Sequence, residues 1–217
     1  MRQIIIKAAQ DAFTTQPYDS VNMDEIADNA LLSRATLYNY FDNKETLYFE
    51  IGIENYKQMQ LIFPQMLEIE STGLDKVMKF STIVFQGILR NSINFDIVRH
   101  FMGVNNQAEH PIEEPYDQYT QEKLDDLPTT SDTALLRYFN ELMKYMKIWQ
   151  GIIEVGQIDG TIRGDLPPRH LAQIIQIYIT GVIDQLVLMR RALQYINLPQ
   201  DTVVKIMLEN LRKMLEP

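Results

Sequence analysis

Apolar side chains recur along this 217-residue chain at intervals of three and four residues, the spacing of helices that each bury one face. No alternation of apolar and polar residues is long enough to indicate a strand, and no internal repeat is present. The predicted fold class is therefore all-α, with about nine helices. The pattern places them at about 2–15, 22–29, 33–40, 44–64, 74–91, 94–104, 132–155, 169–195 and 199–215.

The two short helices between Asn22 and Lys44 are separated by a turn of about three residues. Asn22 and Ser33 stand where N-caps are expected, and Glu25 is placed to reach back to Asn22 in a capping box. Ala27 is small enough to let two helix backbones approach closely. This stretch predicts a helix-turn-helix, with the first helix of the chain packed beneath it as a support.

Residues 105–130 are the least regular part of the chain. They contain three prolines and seven acidic residues, and only 116–124 fits a short helix. Pro64 predicts a kink or an end of the long helix that begins at Lys44, because proline lacks a backbone donor and its ring clashes with the preceding turn.

The two C-terminal helices are apolar on more than one face, and a single core cannot cover both faces. The surplus predicts a subunit interface, in the form of a four-helix bundle across the two-fold axis of a homodimer. The residues predicted at this interface are Ile179, Ile183, Val187, Val204, Met207, Leu208 and Leu211.

The composition is that of a soluble globular protein, with 46% hydrophobic and 23% charged residues. Cysteine is absent, which excludes disulfides and thiolate metal sites. Neither a signal peptide nor an uninterrupted transmembrane segment is evident, so the predicted location is the cytoplasm, with no membrane partner.

Metal binding and catalysis find little support in the sequence. His100, Glu109 and His110 lack the tight spacing of metal ligands, and no Ser/His/Asp set or Gly-rich phosphate loop stands out. We therefore predict no metal, no cofactor and no enzymatic activity.

The helix-turn-helix segment also resembles a known family. TetR-family transcriptional regulators share the N-terminal signature I-A-x-x-A-G-V-S-[KR]-G-T-L-Y-x-[HY]-F-x-x-K-E-x-L. The chain is similar to it at Ile26, Ala27, Ser33, Arg34, Ala35, Thr36, Leu37, Tyr38, Tyr40, Phe41, Lys44, Glu45 and Leu47. The resemblance covers roughly residues 3–50, and 156–163 is similar to the family's turn before its eighth helix. It implies a DNA-binding domain at 1–46 and a ligand-binding and dimerisation domain at 47–217.

Two positions depart from the family pattern, and the N-terminal arm is short. Leu31 replaces the turn glycine, at a position that favours φ > 0 and costs a residue with a Cβ about 1 kcal/mol or more. Pro17 stands where a glycine often follows the first helix, and Arg2 is the only basic residue of a short N-terminal arm. The turn is therefore expected to be strained or reshaped.

A recognition helix enters the major groove with its N-terminal residues near the base edges. That geometry makes Arg34 and Thr36 the candidates for base contacts, with Ala35 small enough for close approach. The resemblance implies phosphate contacts from Asn22, Tyr38, Tyr40 and Lys44. The full set of predicted DNA-binding residues is Asn22, Ser33, Arg34, Ala35, Thr36, Tyr38, Asn39, Tyr40 and Lys44.

The net charge of −9 conflicts with DNA binding, since nucleic-acid binders usually carry a basic surface. Residues 1–48 alone hold four basic and seven acidic residues, a net −3. The alternative function is therefore an all-helical interaction protein whose degenerate helix-turn-helix no longer binds DNA.

The resemblance further implies a pocket for a small-molecule inducer among the long helices. The candidate lining residues are Phe85, Gln86, Leu89, His100, Phe101, Asn140, Met143, Met146, Trp149, Gln176 and Tyr178. The preferred function is a ligand-responsive repressor that binds a palindromic double-stranded DNA operator as a homodimer. The inducer would tilt the helix after Lys44 and change the separation of the two recognition helices, releasing the operator.

Overall fold

The computed structural model describes residues 1–68, 71–90, 92–107 and 131–217, and every regular element within these ranges is helical. The all-α prediction is confirmed. The ten helices in the described ranges are α1 Arg2–Thr15, α2 Met23–Asn29, α3 Arg34–Tyr38, α4 Lys44–Leu67, α5 Gly73–Arg90, α6 Ile93–Gln107, α7 Ser131–Ile158, α8 Pro168–Leu188, α9 Arg190–Tyr195 and α10 Gln200–Leu215, with a 3₁₀ turn at Tyr18–Ser20.

Several predicted boundaries change. Residues 105–107 continue α6, and the rest of the predicted irregular segment, including 116–124, Glu109 and His110, lies outside the described residues. Pro64 lies inside α4, so the helix ends three residues later than its proline suggested. The predicted helix 169–195 divides at Met189, which leaves the helical region with φ −87° and ψ 2° although no glycine or proline marks the break.

The chain forms two compact units, each described separately below. The first comprises 1–58 and 91–143, and the second comprises 59–90 and 144–217. The predicted domain boundary after residue 46 stays a prediction.

In the first unit, α1 packs against α2 and α6, and α2 packs against α3. Its core is fully apolar where these helices meet, with Ile5, Ile26 and Leu37 completely buried. Burial of such side chains stabilises each by about 1.5–3 kcal/mol relative to an exposed position. This packing fixes the angle at which α3 stands on the surface.

The same unit buries a charge. Glu50 is 2% exposed and lies between two guanidinium groups: it is ion-paired to Arg2 of α1, and its Oε1 lies 3.1 Å from Nη2 of Arg137 of α7. An unpaired carboxylate at this depth would be strongly destabilising, so the two arginines are required to keep it there.

In the second unit, α5 and α10 both pack against α8 and against each other, and α9 follows α8. The helix start at Gly73 crosses α7 so closely that a Cβ added there would overlap the backbone of Gly156. Asp159 Oδ2 accepts a hydrogen bond from Gly73 N at 2.6 Å, and its Oδ1 accepts one from Thr161 Oγ1 at 2.6 Å. The bond from Thr161, followed by those from backbone amides, lowers the pKa of the Asp159 carboxyl below its ordinary value.

Candidate nucleic-acid interface and ligand region

Side-chain caps define both helices of the helix-turn-helix. Asn22 Oδ1 accepts a hydrogen bond from Glu25 N at 2.8 Å, and Ser33 Oγ accepts one from Thr36 N at 3.1 Å, as predicted. The Glu25 carboxylate does not complete the predicted capping box within the described residues. It accepts a hydrogen bond from Gln16 Nε2 at 2.5 Å and so ties α2 to the end of α1.

The turn between α2 and α3 is a Schellman motif. Leu32 N donates to Ala27 O at 2.9 Å and Leu31 N donates to Asp28 O at 3.0 Å, which satisfies two carbonyl groups at the end of α2. Leu31 occupies the left-handed position with φ 57° and is 92% exposed. The expected positive φ is therefore present, and nothing packs on the leucine side chain to compensate for it.

The recognition helix α3 is shorter than predicted, ending at Tyr38 rather than at about residue 40. Leu37 is completely buried and anchors it, while Arg34, Ala35 and Asn39 lie on the exposed side. Arg34 Nη1 lies 3.1 Å from Asp24 Oδ2. The Arg34 guanidinium carbon also lies 5.5 Å from the centroid of the Tyr38 ring. Two groups therefore hold this guanidinium on the surface.

The remaining predicted DNA-binding residues have mixed surroundings. Asn22, Ser33, Tyr38 and Tyr40 are exposed. Thr36 is half-buried, and its hydroxyl lies 2.8 Å from Ser33 Oγ, so part of its hydrogen-bonding capacity is used within the N-cap.

Lys44, the first residue of α4, points at the 3₁₀ turn. Its Nζ donates to Tyr18 O at 2.8 Å and lies 4.3 Å from the centroid of the Tyr18 ring. Burial, followed by the charges of Glu45 and Asp19, raises the pKa of Tyr18 to about 12, so this phenol is neutral at physiological pH. The lysine ammonium has three donors, and this contact leaves others for a phosphate.

His100 was predicted to contact an inducer, but its neighbours lie at the start of α4. Its Nε2 lies 3.1 Å from Glu45 Oε1, its ring centroid lies 4.4 Å from that of Tyr18 in a tilted arrangement, and the Tyr48 ring meets it edge-on at 5.4 Å. These contacts join α6 to the start of α4.

The predicted ligand-lining residues do not all fall in one compact unit. His100, Phe101, Asn140 and Met143 belong to the first unit. The second unit contains Phe85, Gln86, Leu89, Met146, Trp149, Gln176 and Tyr178.

Within the second unit these residues differ in accessibility. Phe85, Met146 and Trp149 are buried, whereas Gln86 is exposed. The Tyr178 hydroxyl donates to Met207 O at 2.9 Å, so its polar atom is already used.

Two of these side chains carry buried polar atoms that find no hydrogen-bond partner among the described residues. They are Nε1 of Trp149, a donor, and Oε1 of Gln176, an acceptor. The Trp149 ring itself packs 4.6 Å from Phe80. Because buried polar groups are almost always paired, the two atoms are the strongest indication of a ligand-contacting region in this unit.

The predicted dimer residues need correction. Ile179 and Ile183 are 1% and 0% exposed, and Val204 and Leu211 are also buried, so all four belong to the core of the chain itself. Ile179 and Ile183 lie one and two turns after Ile175, on the face of α8 that packs on the core. Val187 is exposed, and Met207 and Leu208 are half-buried.

A different apolar surface remains open on the second unit. It is a groove of about 490 Å³ between α8, α9 and α10. Ile177 in its wall is 62% exposed. The other lining residues are Tyr178, Gly181, Val182, Gln185, Leu186, Met189, Leu193, Val203 and Met207.

No group of three His, Asp or Glu side chains placed to hold a metal ion occurs in the ranges described. Among the contacts that the sequence did not indicate are Asp24 with Arg34, Glu50 with its two arginines, and Tyr18 with Lys44. Each joins residues ten or more positions apart, and no periodicity signals such a pair.

Comparison with known proteins agrees with this geometry. Residues 5–51 match the family described as "Bacterial regulatory proteins, tetR family". The chain is 36% identical over 59 residues to the uncharacterized HTH-type transcriptional regulator YhgD of Bacillus subtilis, a match covering 27% of this chain and 31% of that relative. The match thus spans about a third of the relative's length.

Solved structures extend the likeness to the whole fold. The transcriptional regulator FadR from Bacillus subtilis, solved in complex with stearoyl-CoA, superposes with a TM-score of 0.68 at 18% identity over 100% of both chains. The regulatory protein TetR from Rhodobacter sphaeroides gives a TM-score of 0.65 at 19% identity over 98% of this chain and 97% of that one. Residues 5–51 therefore match the tetR family of bacterial regulatory proteins, and the whole chain shares the fold of these solved structures.

Proposed function

We propose that this chain is a ligand-responsive transcriptional repressor, which binds a palindromic DNA operator as a homodimer and is released by a small-molecule inducer. The observation that carries the proposal is the exposed face of α3, where Arg34 and Tyr38 lie above a completely buried Leu37. An exposed helix anchored by one buried side chain can enter the major groove. Binding to chromosomal DNA implies a cytoplasmic location.

The dimer is proposed to form through the groove between α8, α9 and α10. Helix Pro168–Leu188 is apolar enough to cross a membrane by length and composition, yet only 33% of its most apolar window is buried within the chain. A second copy that covers Ile177 and Leu188 accounts for this surplus without a membrane, because the inward face already packs on α5. The two-fold arrangement also presents two recognition helices to the two half-sites of a palindrome.

Substitution of Ile177 by Glu tests the interface. A charge in a dimer core costs several kcal/mol, so Ile177→Glu is expected to be monomeric in light scattering at concentrations where the wild type is dimeric. Leu61→Glu is the control, since Leu61 is 64% exposed on α4 and lies outside the groove. An Ile177→Glu protein that stays as dimeric as the control contradicts the proposed interface.

The inducer is proposed to contact Trp149 and Gln176, which offer one unpaired buried donor and one unpaired buried acceptor among the described residues. A fatty acyl-CoA is the first ligand to test, because a structural neighbour was solved with stearoyl-CoA. A ligand present at 100 times its Kd is expected to stabilise the protein by about 2.7 kcal/mol in thermal unfolding. The Trp149→Phe variant, which lacks the indole donor, is expected to bind the same ligand more weakly.

Selection of duplexes from a random-sequence pool, followed by gel shift at several salt concentrations, tests DNA binding directly. Enrichment of a palindrome with salt-sensitive affinity supports the repressor. The alternative, an interaction protein with a degenerate helix-turn-helix, is favoured by the net charge of −9 and predicts that no sequence is enriched. Loss of the enriched duplex on addition of the inducer separates a ligand-released repressor from a constitutive one.

A further inference from the structure

The guanidinium of Arg34 is engaged before any DNA is bound. Its Nη1 contacts Asp24 Oδ2 at 3.1 Å, and its carbon lies 5.5 Å from the Tyr38 ring centroid. Arg34 and Asp24 are both well exposed, with side-chain exposures of 66% and 57%. Under the proposed function this pair lies on the surface that faces DNA. The Arg34 side chain is therefore oriented before DNA binds.

An arginine paired with a carboxylate in this way is expected to interact differently with the phosphates and with the bases of DNA. Phosphate oxygens attract a guanidinium mainly through its charge, and the neighbouring carboxylate cancels much of that charge. Guanine N7 and O6 are uncharged acceptors that are recognised by hydrogen-bond geometry. A guanidinium has five N–H donors, so one contact to Asp24 leaves enough for a bidentate pair with guanine.

We propose that Asp24 is a specificity-determining residue: it orients Arg34 and offsets its charge, so that Arg34 selects a guanine edge over a phosphate. This inference rests on the proposed function, since it requires that α3 bind DNA. It also gives the acidic start of α2 a role in recognition, where the sequence suggested only a conflict with DNA binding.

A purely structural role for Asp24 predicts a different result. Asp24 lies in the first turn of α2, where an acid interacts favourably with the helix dipole. If that were its whole contribution, its removal would loosen α2 and weaken DNA binding. Offsetting the charge of Arg34 predicts the opposite sign for DNA of unrelated sequence.

Asp24→Asn in the full-length protein provides the test, and Asp28→Asn provides a matched control. Asp28 is an exposed acid one turn later on the same helix, so the control makes the same change in net charge without touching Arg34. Affinity and its salt dependence are measured for two probes. One is the duplex enriched by the wild type from a random pool, and the other is a scrambled duplex of equal composition.

Relative to the control, Asp24→Asn is expected to bind the scrambled duplex about two- to five-fold more tightly, the range set by exposed ion pairs. Its salt slope on that probe is expected to steepen by about 0.9, equivalent to one added phosphate contact. Its affinity for the enriched duplex rises less, so the specificity ratio falls. Replacing guanines of the enriched duplex by 7-deazaguanine, which lacks N7, weakens binding less in Asp24→Asn than in the wild type.

The Arg34→Ala background completes the experiment. There Asp24→Asn is expected to match Asp28→Asn on both probes, because the group that Asp24 acts on is gone. Equal effects of the two substitutions in the wild-type background overturn the inference, as does a persistent difference in the Arg34→Ala background. A wild-type protein that binds neither probe overturns the proposed function itself, and the inference with it.

Discussion

Leu31 offers the clearest test of how the helix-turn-helix is held together. The Schellman turn places this residue at φ 57°, a conformation that costs a residue with a Cβ roughly 1–2 kcal/mol. The side chain is 92% exposed, so it contributes almost no packing in return. Glycine removes the strain but loses about 0.5–1 kcal/mol through its greater freedom in the unfolded chain. Leu31→Gly is therefore expected to stabilise the protein by about 0.5–1 kcal/mol.

The measurement is urea unfolding at one fixed protein concentration, because association makes apparent stability depend on concentration. Hydrogen exchange of the Leu31 and Leu32 amides, which close the turn, locates the effect. Leu31→Ala is the control, since it removes the exposed side chain but keeps the Cβ and hence the strain. We expect it to lie within about 0.5 kcal/mol of the wild type, as surface substitutions usually do. If glycine is no more stable than alanine at this position, the left-handed strain is not what limits the turn.

Two further predictions concern a phosphate contact and a helix crossing. Lys44→Ala is expected to weaken operator binding and to lower the slope of log affinity against log salt concentration by about 0.9. Lys44→Arg is expected to preserve that slope, because it keeps the charge. Gel shifts at several salt concentrations measure both variants. Gly73→Ala is expected to destabilise the protein by about 3 kcal/mol in urea unfolding, because the added methyl overlaps the Gly156 backbone and no flexible side chain can yield. Gly87→Ala, on the same helix with open space around it, is expected to stabilise by about 1 kcal/mol, and a loss of stability there would contradict the steric reasoning.

Local features of the fold could be predicted from the sequence. The caps Asn22 and Ser33 both accept the expected amide hydrogen bonds, because a cap depends only on residues three positions away. The positive φ of Leu31 could be predicted for the same reason, because it depends only on neighbouring residues of the turn. The break at Met189 has no comparable signal, since the residues around it are ordinary helix formers and no glycine or proline marks the position.

The proposed dimer surface could not be located from the spacing of apolar residues alone. Helix α8 is apolar on two faces, and periodicity cannot tell which face packs on the chain's own core. The apolar pattern predicts Ile179 and Ile183 at the interface, but both continue the buried stripe of Leu171 and Ile175. Ile177, which is 62% exposed, lies on the other face. Only tertiary packing decides between the two faces.

Several acidic residues of the predicted DNA-binding segment also make tertiary contacts that the sequence does not reveal. Of its seven acids, Asp24 is bonded to Arg34, Glu25 to Gln16 and Glu45 to His100, so three carboxylates hold neighbouring helices or side chains. These contacts do not make the segment basic, and its long-range field still opposes DNA. Affinity must then come from hydrogen bonds and close fit at the correct site, with little sequence-independent attraction to add to it. Under the proposed function, such a protein is expected to bind unrelated DNA weakly, so the specificity ratio of Asp24→Asn is a more informative measurement than its affinity for any single duplex.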